Sequence, residues 1–322
     1  MTWQAVARKD FQDAIRSWWL WGLTLVLVFT IGGISLLWGW LLRNEEGVTS
    51  DSLFGVFADM GFLGQYSFTG FLGFMLALIA IVTAYSAIID ERESGTLKVL
   101  LSLPHSRQDV IAGKLVGRSA VVVAPLLGAF FVVMLMFALT GVSIVFENLI
   151  PHILLTVLMA VAFVGLAIGI SAWAASTRQA TVATFGSYFV LVLLWGPVSE
   201  GLPRMYDYVA ERLPLIDPMA PETFARVELF ITYINPLRLY ETLSASIYMG
   251  EPIEARLFKV GIFQQAEYCQ ALGGEVIEVN GAMTCSGSPP FYLQDAFLLL
   301  VLIAWIVVPP LVGYLVFDEL DL

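Results

Sequence analysis

Charge is scarce in this sequence: Asp, Glu, Lys and Arg make up 13% of its 322 residues, where soluble domains carry about 25%. Histidine and cysteine are scarcer still, with two of each. His105 and His152 are distant from one another and from Cys269 and Cys285, so these residues do not make a metal-ligand cluster. There is no G-x-x-x-x-G-K-[ST] phosphate loop. The "GKL" at Gly113 to Leu115 lacks both the upstream glycine and the hydroxyl residue, so the chain has no P-loop of its own for ATP. Basic residues are outnumbered, 16 against 27, for a formal net charge of −11 and a pI near 4.6. That balance argues against nucleic acid as a partner.

What the chain has in abundance is apolar sequence: 58% hydrophobic residues and a mean hydropathy of +0.82. Six runs approach or exceed the roughly 20 residues that a spanning helix needs: about Trp18 to Leu42, Ser67 to Ile89, Ser119 to Val142, Pro151 to Ala175, Ala180 to Val198 and Ala296 to Phe317. The first is too long for a cleavable signal, whose apolar region is about 7–15 residues. Arg8, Lys9 and Arg16 precede the first run. Arg92, Lys98, Arg107, Lys114 and Arg118 lie between the second and third, and Arg178 between the fourth and fifth. The short loops on the other side hold Arg43 alone, so the positive-inside rule puts both termini in the cytoplasm. Trp18, Trp19, Trp21, Trp38 and Trp40 flank the first run as interfacial anchors would, core aromatics being the alternative.

These observations predict an all-α polytopic membrane protein located in the cell membrane. Residues 1–17 form a cytoplasmic interfacial helix, with Val6, Phe11 and Ile15 near one side; a plain polar leader is the alternative. Residues 18–200 carry transmembrane helices one to five with a cytoplasmic loop at 90–118. Residues 201–295 form a large extracytoplasmic insertion, 296–317 the sixth span, and 318–322 a solvated acidic tail. Within the insertion, Phe224 to Tyr248 is apolar, but Arg226, Glu228, Arg238 and Glu241 would be costly in lipid. It reads as outer or partly re-entrant helices broken at Asn235-Pro236. "EVIEVNGAMTC" alternates and then carries Asn280-Gly281, a hairpin signal. Cys269 and Cys285 bracket it on the oxidising face, where a disulfide is expected; free thiols are the alternative.

The runs contain no Asp, Glu, Lys, Arg or His in their interiors. Ion-coupled transporters place such groups at mid-membrane, so the power source is expected elsewhere. A hydrolase reading of Ser171, from "GIS", lacks a base. Ser171 reads instead as a small packing residue, like Gly165 and Gly169 in "GLAIG", a GxxxG pattern.

The most charged stretch is "DERESGTLKVLLSLPHSRQDVIAGKLVGR", Asp90 to Arg118. The second span should run on as a helix through "IIDERES", with Gly95 permitting a turn and "TLKVLLSLP" forming a short apolar-faced helix. Ser106 should then cap a helix with Asp109 in capping-box spacing, continuing into the third span. A solvated connector is the alternative.

The order Glu91, Glu93, Gly95, Thr96, Leu97, Leu100, Leu101, Pro104, Ser106, Arg107, followed by Gly113 and Lys114, resembles the cytoplasmic coupling loop of ABC-2 type transporter permeases. The architecture is similar over nearly the whole chain, and most similar to permeases of multi-subunit exporters, including those of nitrous-oxide-reductase maturation. The longer outer loop departs from them. The resemblance implies a half-transporter that pairs with a second permease chain, identical or related, in membrane lipid and docks a cytoplasmic ABC ATPase subunit. ATP and Mg would then sit in that partner, with no cofactor in this chain. Leu97, Leu100 and Leu101 would bury in the ATPase, Glu91, Glu93, Lys98 and Arg107 would set orientation, and the motion would pass through the loop. A second reading keeps the ATPase but uses the motion to act on an extracytoplasmic partner through 201–295.

Overall fold

The computed structural model describes residues 3–16, 18–42, 44, 47–51, 54, 68–96, 106–213, 217–250, 252–257, 265–279 and 282–319. They fall into two units, one of residues 1–53, 71–188 and 303–322, the other of 54–70 and 189–302.

The first unit opens with α1 (Trp3–Ile15) and α2 (Trp18–Leu42), then α3 (Phe68–Ala84) and the short α4 (Ile89–Glu93). The last two form one helical run, Thr69–Glu93, with a turn at residues 85–88. Gly95 follows in the left-handed region at φ 74°, the turn expected of a residue without Cβ. Helix α5 (Arg107–Thr140) begins on the expected capping box. Ser106 Oγ accepts from Asp109 N and the Asp109 carboxylate accepts from Ser106 N. It ends at Gly141, φ 79°, whose amide reaches Phe137 O. Next come α6 (Phe146–Trp173) and α7 (Thr177–Tyr188).

Glycine sets how closely these helices approach. A Cβ on Gly39 would lie 2.4 Å from Thr140 Oγ1, and one on Gly32 would lie 2.9 Å from Val132 Cγ1, so α2 packs tightly on α5. The GxxxG of α6 behaves as expected: a Cβ on Gly165 would meet Ile306 O at 2.9 Å and one on Gly169 would meet Pro309 O at 2.3 Å. Trp18, Trp21 and Trp40 are exposed on α2, which fits anchors and not core aromatics.

The second unit begins with a π-helical turn at Phe189–Leu193 and continues through α8 (Trp195–Ala210), α9 (Pro221–Thr232), α10 (Pro236–Met249), α11 (Pro252–Leu257) and α12 (Gln265–Ala271). The hairpin β1 (Glu275–Val279) and β2 (Ala282–Ser286) pairs antiparallel with Val279 opposite Ala282. Asn280 and Gly281 lie outside the described residues. The Cys269–Cys285 disulfide is formed. The apolar stretch 224–248 is two helices broken at Asn235-Pro236, as its charges required. Asn235 Oδ1 caps α10 by accepting from Leu237 N and Arg238 N, while its Nδ2 donates to Leu191 O.

Arg256 is the polar centre of this unit. It is fully buried and donates to Leu293 O at 2.8 Å, to Thr242 Oγ1 and Ser246 Oγ at 3.0 Å each, and to the Asp295 carboxylate. Burying a guanidinium is tolerable only when its donors are met in this way. Asp295 begins α13 (Asp295–Glu319), the last apolar helix.

The protein is a multi-pass membrane protein. Among the described residues, five single helices are long and apolar enough to cross a bilayer, and a sixth crossing is available if Thr177–Leu193 and Trp195–Ala210 count as one span bent by 74°. The single straight helix expected from Ala180 to Val198 is replaced by a break at Leu194, which lies off the helical region at φ −103°, ψ 1°.

Candidate functional site: the charged junction beside the loop

The residues on both sides of the 96–106 loop converge on one junction. Lys114 projects from α5 and is 1% exposed. Its Nζ lies 3.1 Å from Glu91 Oε1 on α4 and 3.4 Å from Asp10 Oδ1 on α1. One turn on, Arg118 Nε lies 2.8 Å from Asp10 Oδ2, an ion-pair distance without hydrogen-bond alignment, and its Nη1 donates to Thr83 O at 2.8 Å. Two carboxylates and two cations therefore neutralise each other where water is largely excluded. Lys9, exposed, approaches Glu91 at 3.7 Å from the rim.

This pairing requires α1 to lie against α5, and two glycines allow it. A Cβ on Gly113 would sit 2.6 Å from Val6 Cβ and 2.8 Å from Trp3 O, and one on Gly117 would sit 3.0 Å from Ala7 O. Trp3 N also donates to Asp109 Oδ1. The face of α1 that packs on α5 carries Val6, Ala7 and Asp10, while Ile15, on the side expected to meet the membrane surface, is exposed. Asp10 is buried because its cations are on the facing helix.

The other contacts of α4 run to the break between α6 and α7. Ser171 Oγ accepts from Ile88 N at 3.0 Å and Ile89 N at 3.2 Å, meeting amides that the first turn of a helix leaves without partners. Its role is that of a helix cap, which corrects the reading of Ser171 as only a small packing residue. Catalysis is not served, since His152 is 19 residues away on the same helix, about 28 Å along its axis. Arg92 donates to Ala174 O. The Glu93 carboxylate accepts from Thr177 N and Thr177 Oγ1, both at 2.8 Å, and so caps α7. Ile89 packs with Ala174 and Ala180 beneath.

Across the loop, Arg107 Nη1 donates to Phe317 O at 2.6 Å and its guanidinium lies 5.4 Å from the Phe317 ring centroid. Gln108 Nε2 donates to Tyr314 Oη at 3.0 Å. The far end of the loop is tied to the end of α13.

Of the sequence-predicted site residues, Glu91, Glu93, Gly95, Thr96, Ser106 and Arg107 are described. Glu91, Glu93 and Arg107 engage groups of this chain, and Thr96 Oγ1 donates to Glu91 O at 3.2 Å. Leu97, Lys98, Leu100, Leu101 and Pro104 lie outside the described residues. Sequence reasoning missed Asp10 and Arg118 as partners and Ser171 as a cap. One signal was available: Gly113 and Gly117 repeat the spacing of Gly165 and Gly169.

Residues 4–322 match the ABC-2 family transporter protein. The chain belongs to that family. It is a permease subunit; such subunits lack the ATPase, which resides in a partner. It is similar to the probable ABC transporter permease protein NosY of Pseudomonas aeruginosa, 29% identical over 195 residues, 59% of this chain and 66% of that one. The protein of the same name from Stutzerimonas stutzeri is 26% identical over 252 residues, 76% of this chain and 82% of its own length.

Proposed function

We propose that this chain is the membrane half of an exporter, driven by a separate cytoplasmic ATPase that docks on the loop between the second and third spans. In this reading both termini are cytoplasmic, a second permease chain completes the pathway, and 201–295 faces the other side. Leu97, Leu100 and Leu101 supply the buried anchors, since apolar anchors dominate such interfaces and rim charges tune them.

The observation that carries the reading is that both ends of the loop are tied to the bundle. Glu91 joins α4 to α1 and α5 through Lys114, Glu93 joins it to α7, and Arg107 joins α5 to α13. A push on the loop would reach these helices as a unit, because ion pairs in a site this dry resist separation. The sequence expectation that Glu91, Glu93 and Arg107 orient the ATPase is accordingly narrowed: they transmit, and Lys98 with the leucines docks.

The test is affinity purification in mild detergent, with mass spectrometry, of the native chain beside a Leu100→Glu, Leu101→Glu variant. An ATPase recovered with the native chain and lost from the folded variant supports docking on the loop. No nucleotide-binding partner under several detergents would overturn it.

A second reading, motion applied to an extracytoplasmic partner in place of a solute, draws on the second unit having its own buried polar centre at Arg256 and its own disulfide. Deleting 275–286 separates the two. Stimulated ATPase activity and solute movement should both survive in an exporter, whereas an outer-acting device loses its function while ATP hydrolysis continues.

A further inference from the structure

Among the described residues of the second unit, Phe291 is the most exposed large apolar side chain, at 71%. It sits on a 3₁₀ turn, Phe291–Leu293, that leads into α13. The turn is held firmly from behind. Leu293 is fully buried and its amide donates to Pro290 O at 2.8 Å. Its carbonyl accepts from Arg256 Nε at 2.8 Å, and the same guanidinium reaches the Asp295 carboxylate. A buried cation thus grips the residues on both sides of Gln294, and with Leu293 fixed inward the turn presents Phe291 outward.

Phe291 is the tip of an aromatic patch. Its ring meets Tyr292 edge-on at 5.5 Å and Phe297 at 5.9 Å, and Tyr292 meets Phe230 at 5.9 Å. Phe230 is exposed as well. Asp295, at the border of the patch, is answered by Arg256 and by Ser246 Oγ, so no unpaired charge of this turn has to be carried to an apolar partner.

The position of the patch says what covers it. Phe297 belongs to the span Asp295–Phe317, 23 residues long. That is about 33 Å of helix against a hydrocarbon core of about 30 Å, so the first turn of α13 lies at the bilayer edge. Leu300, three residues beyond Phe297 and on the same side of the helix, is 64% exposed and meets lipid. The patch is therefore continuous with a surface that the bilayer already covers. Apolar rings and a tyrosine with a polar tip suit that depth.

We propose that the Phe291 turn is a membrane-docking site of the second unit, with the Phe291 ring inserted into the acyl-chain boundary and the Tyr292 hydroxyl at headgroup level. Its partner is the phospholipid surface. The proposal rests on α13 as a span and is independent of where an ATPase docks.

Both native cysteines are joined in one disulfide, so an introduced cysteine is the sole free thiol. Phe291→Cys, Leu300→Cys and Ser288→Cys, the last at an exposed position before the turn, are each labelled with a nitrobenzoxadiazole fluorophore in the full chain. The proteins are reconstituted into vesicles of phosphatidylcholine and phosphatidylglycerol, and retention of the native elution volume on size exclusion marks folded variants. Quenching is measured with a nitroxide carried high on the lipid acyl chain and with iodide present on both sides of the membrane. The label at 291 is expected to follow the one at 300, with lipid quenching several-fold stronger and iodide quenching several-fold weaker than at 288. A label at 291 as open to iodide as the one at 288, while 300 stays quenched by lipid, would put the turn in water and overturn the proposal. A label at 291 shielded from both quenchers would mean that a second copy or a partner protein covers the turn, and would overturn it equally. Iodide quenching at 300 would remove the span on which the proposal rests, and the proposal with it.

Discussion

Lys114 and Glu91 meet at 3.1 Å across the root of the loop, with Asp10 on the far side of the same ammonium. Removing Lys114 would leave Asp10 with Arg118 alone at 2.8 Å and Glu91 with the exposed Lys9 at 3.7 Å. Lys114→Met is therefore expected to destabilise the protein by about 1–3 kcal/mol. Adding Glu91→Gln should return part of the loss. Thermal unfolding in detergent reads both, and an unchanged midpoint for the single variant would show that the cluster is not energetically coupled.

The approach of α1 to α5 depends on hydrogen atoms at Gly113 and Gly117. Gly113→Ala places a methyl group 2.6 Å from Val6 Cβ and 2.8 Å from a backbone oxygen, so α1 must lift and the Asp10 contacts must lengthen. Protease cleavage near the N-terminus should accelerate, and more for Gly113→Ala than for Gly117→Ala, where the nearest approach is 3.0 Å. Equal resistance to cleavage in both variants and the native chain would contradict this packing.

Two glycines of the same type offer an internal contrast. Gly169→Ala would drive a methyl group to 2.3 Å from Pro309 O, with backbone on both sides, and is expected to cost about 1–3 kcal/mol. Gly128→Ala meets nothing within 4 Å and should be neutral or stabilising by up to about 1 kcal/mol, the usual gain of alanine over glycine in a helix. The comparison of unfolding midpoints decides whether α6 and α13 touch at this point.

Reducing the Cys269–Cys285 bond frees a loop of sequence separation 16, worth about 3 kcal/mol in the chain-entropy account. The hairpin should then become the first site of limited proteolysis. Cys269→Ser and Cys285→Ser should each reproduce the reduced pattern, and the double variant should be no worse than either single one.

Glu228 on α9 accepts from Tyr268 Oη at 2.7 Å, yet its carboxyl lies above the usual carboxylate range because partial burial outweighs that hydrogen bond. A folded pKa raised above the unfolded one gives a contribution that is complete below the unfolded value and declines as pH rises through the folded one. Relative to Glu228→Gln, the native protein should therefore lose stability as pH rises from the ordinary carboxylate range through the raised titration of Glu228. Parallel pH profiles for the two proteins would show that the group does not titrate in this window.

Signals that act over a few residues were legible in the sequence alone. The apolar runs, the Ser106–Asp109 cap, the turn at Gly95, the break at Asn235-Pro236 and the pairing of the two cysteines around a hairpin each follow from local preferences or from having only one partner available. The resemblance carried by the Glu91 to Lys114 motif pointed to the family. The tertiary structure alone decided that Asp10 answers Lys114 across 104 positions, that Ser171 caps α4, and that the helix expected over 180–198 breaks at Leu194. It also decided which residues of α1 pack on α5. Lipid and protein interior are both apolar, so hydropathy marks a face as hydrophobic without saying which of the two will meet it. A buried charge is likewise identified only by the cation that packing brings to it.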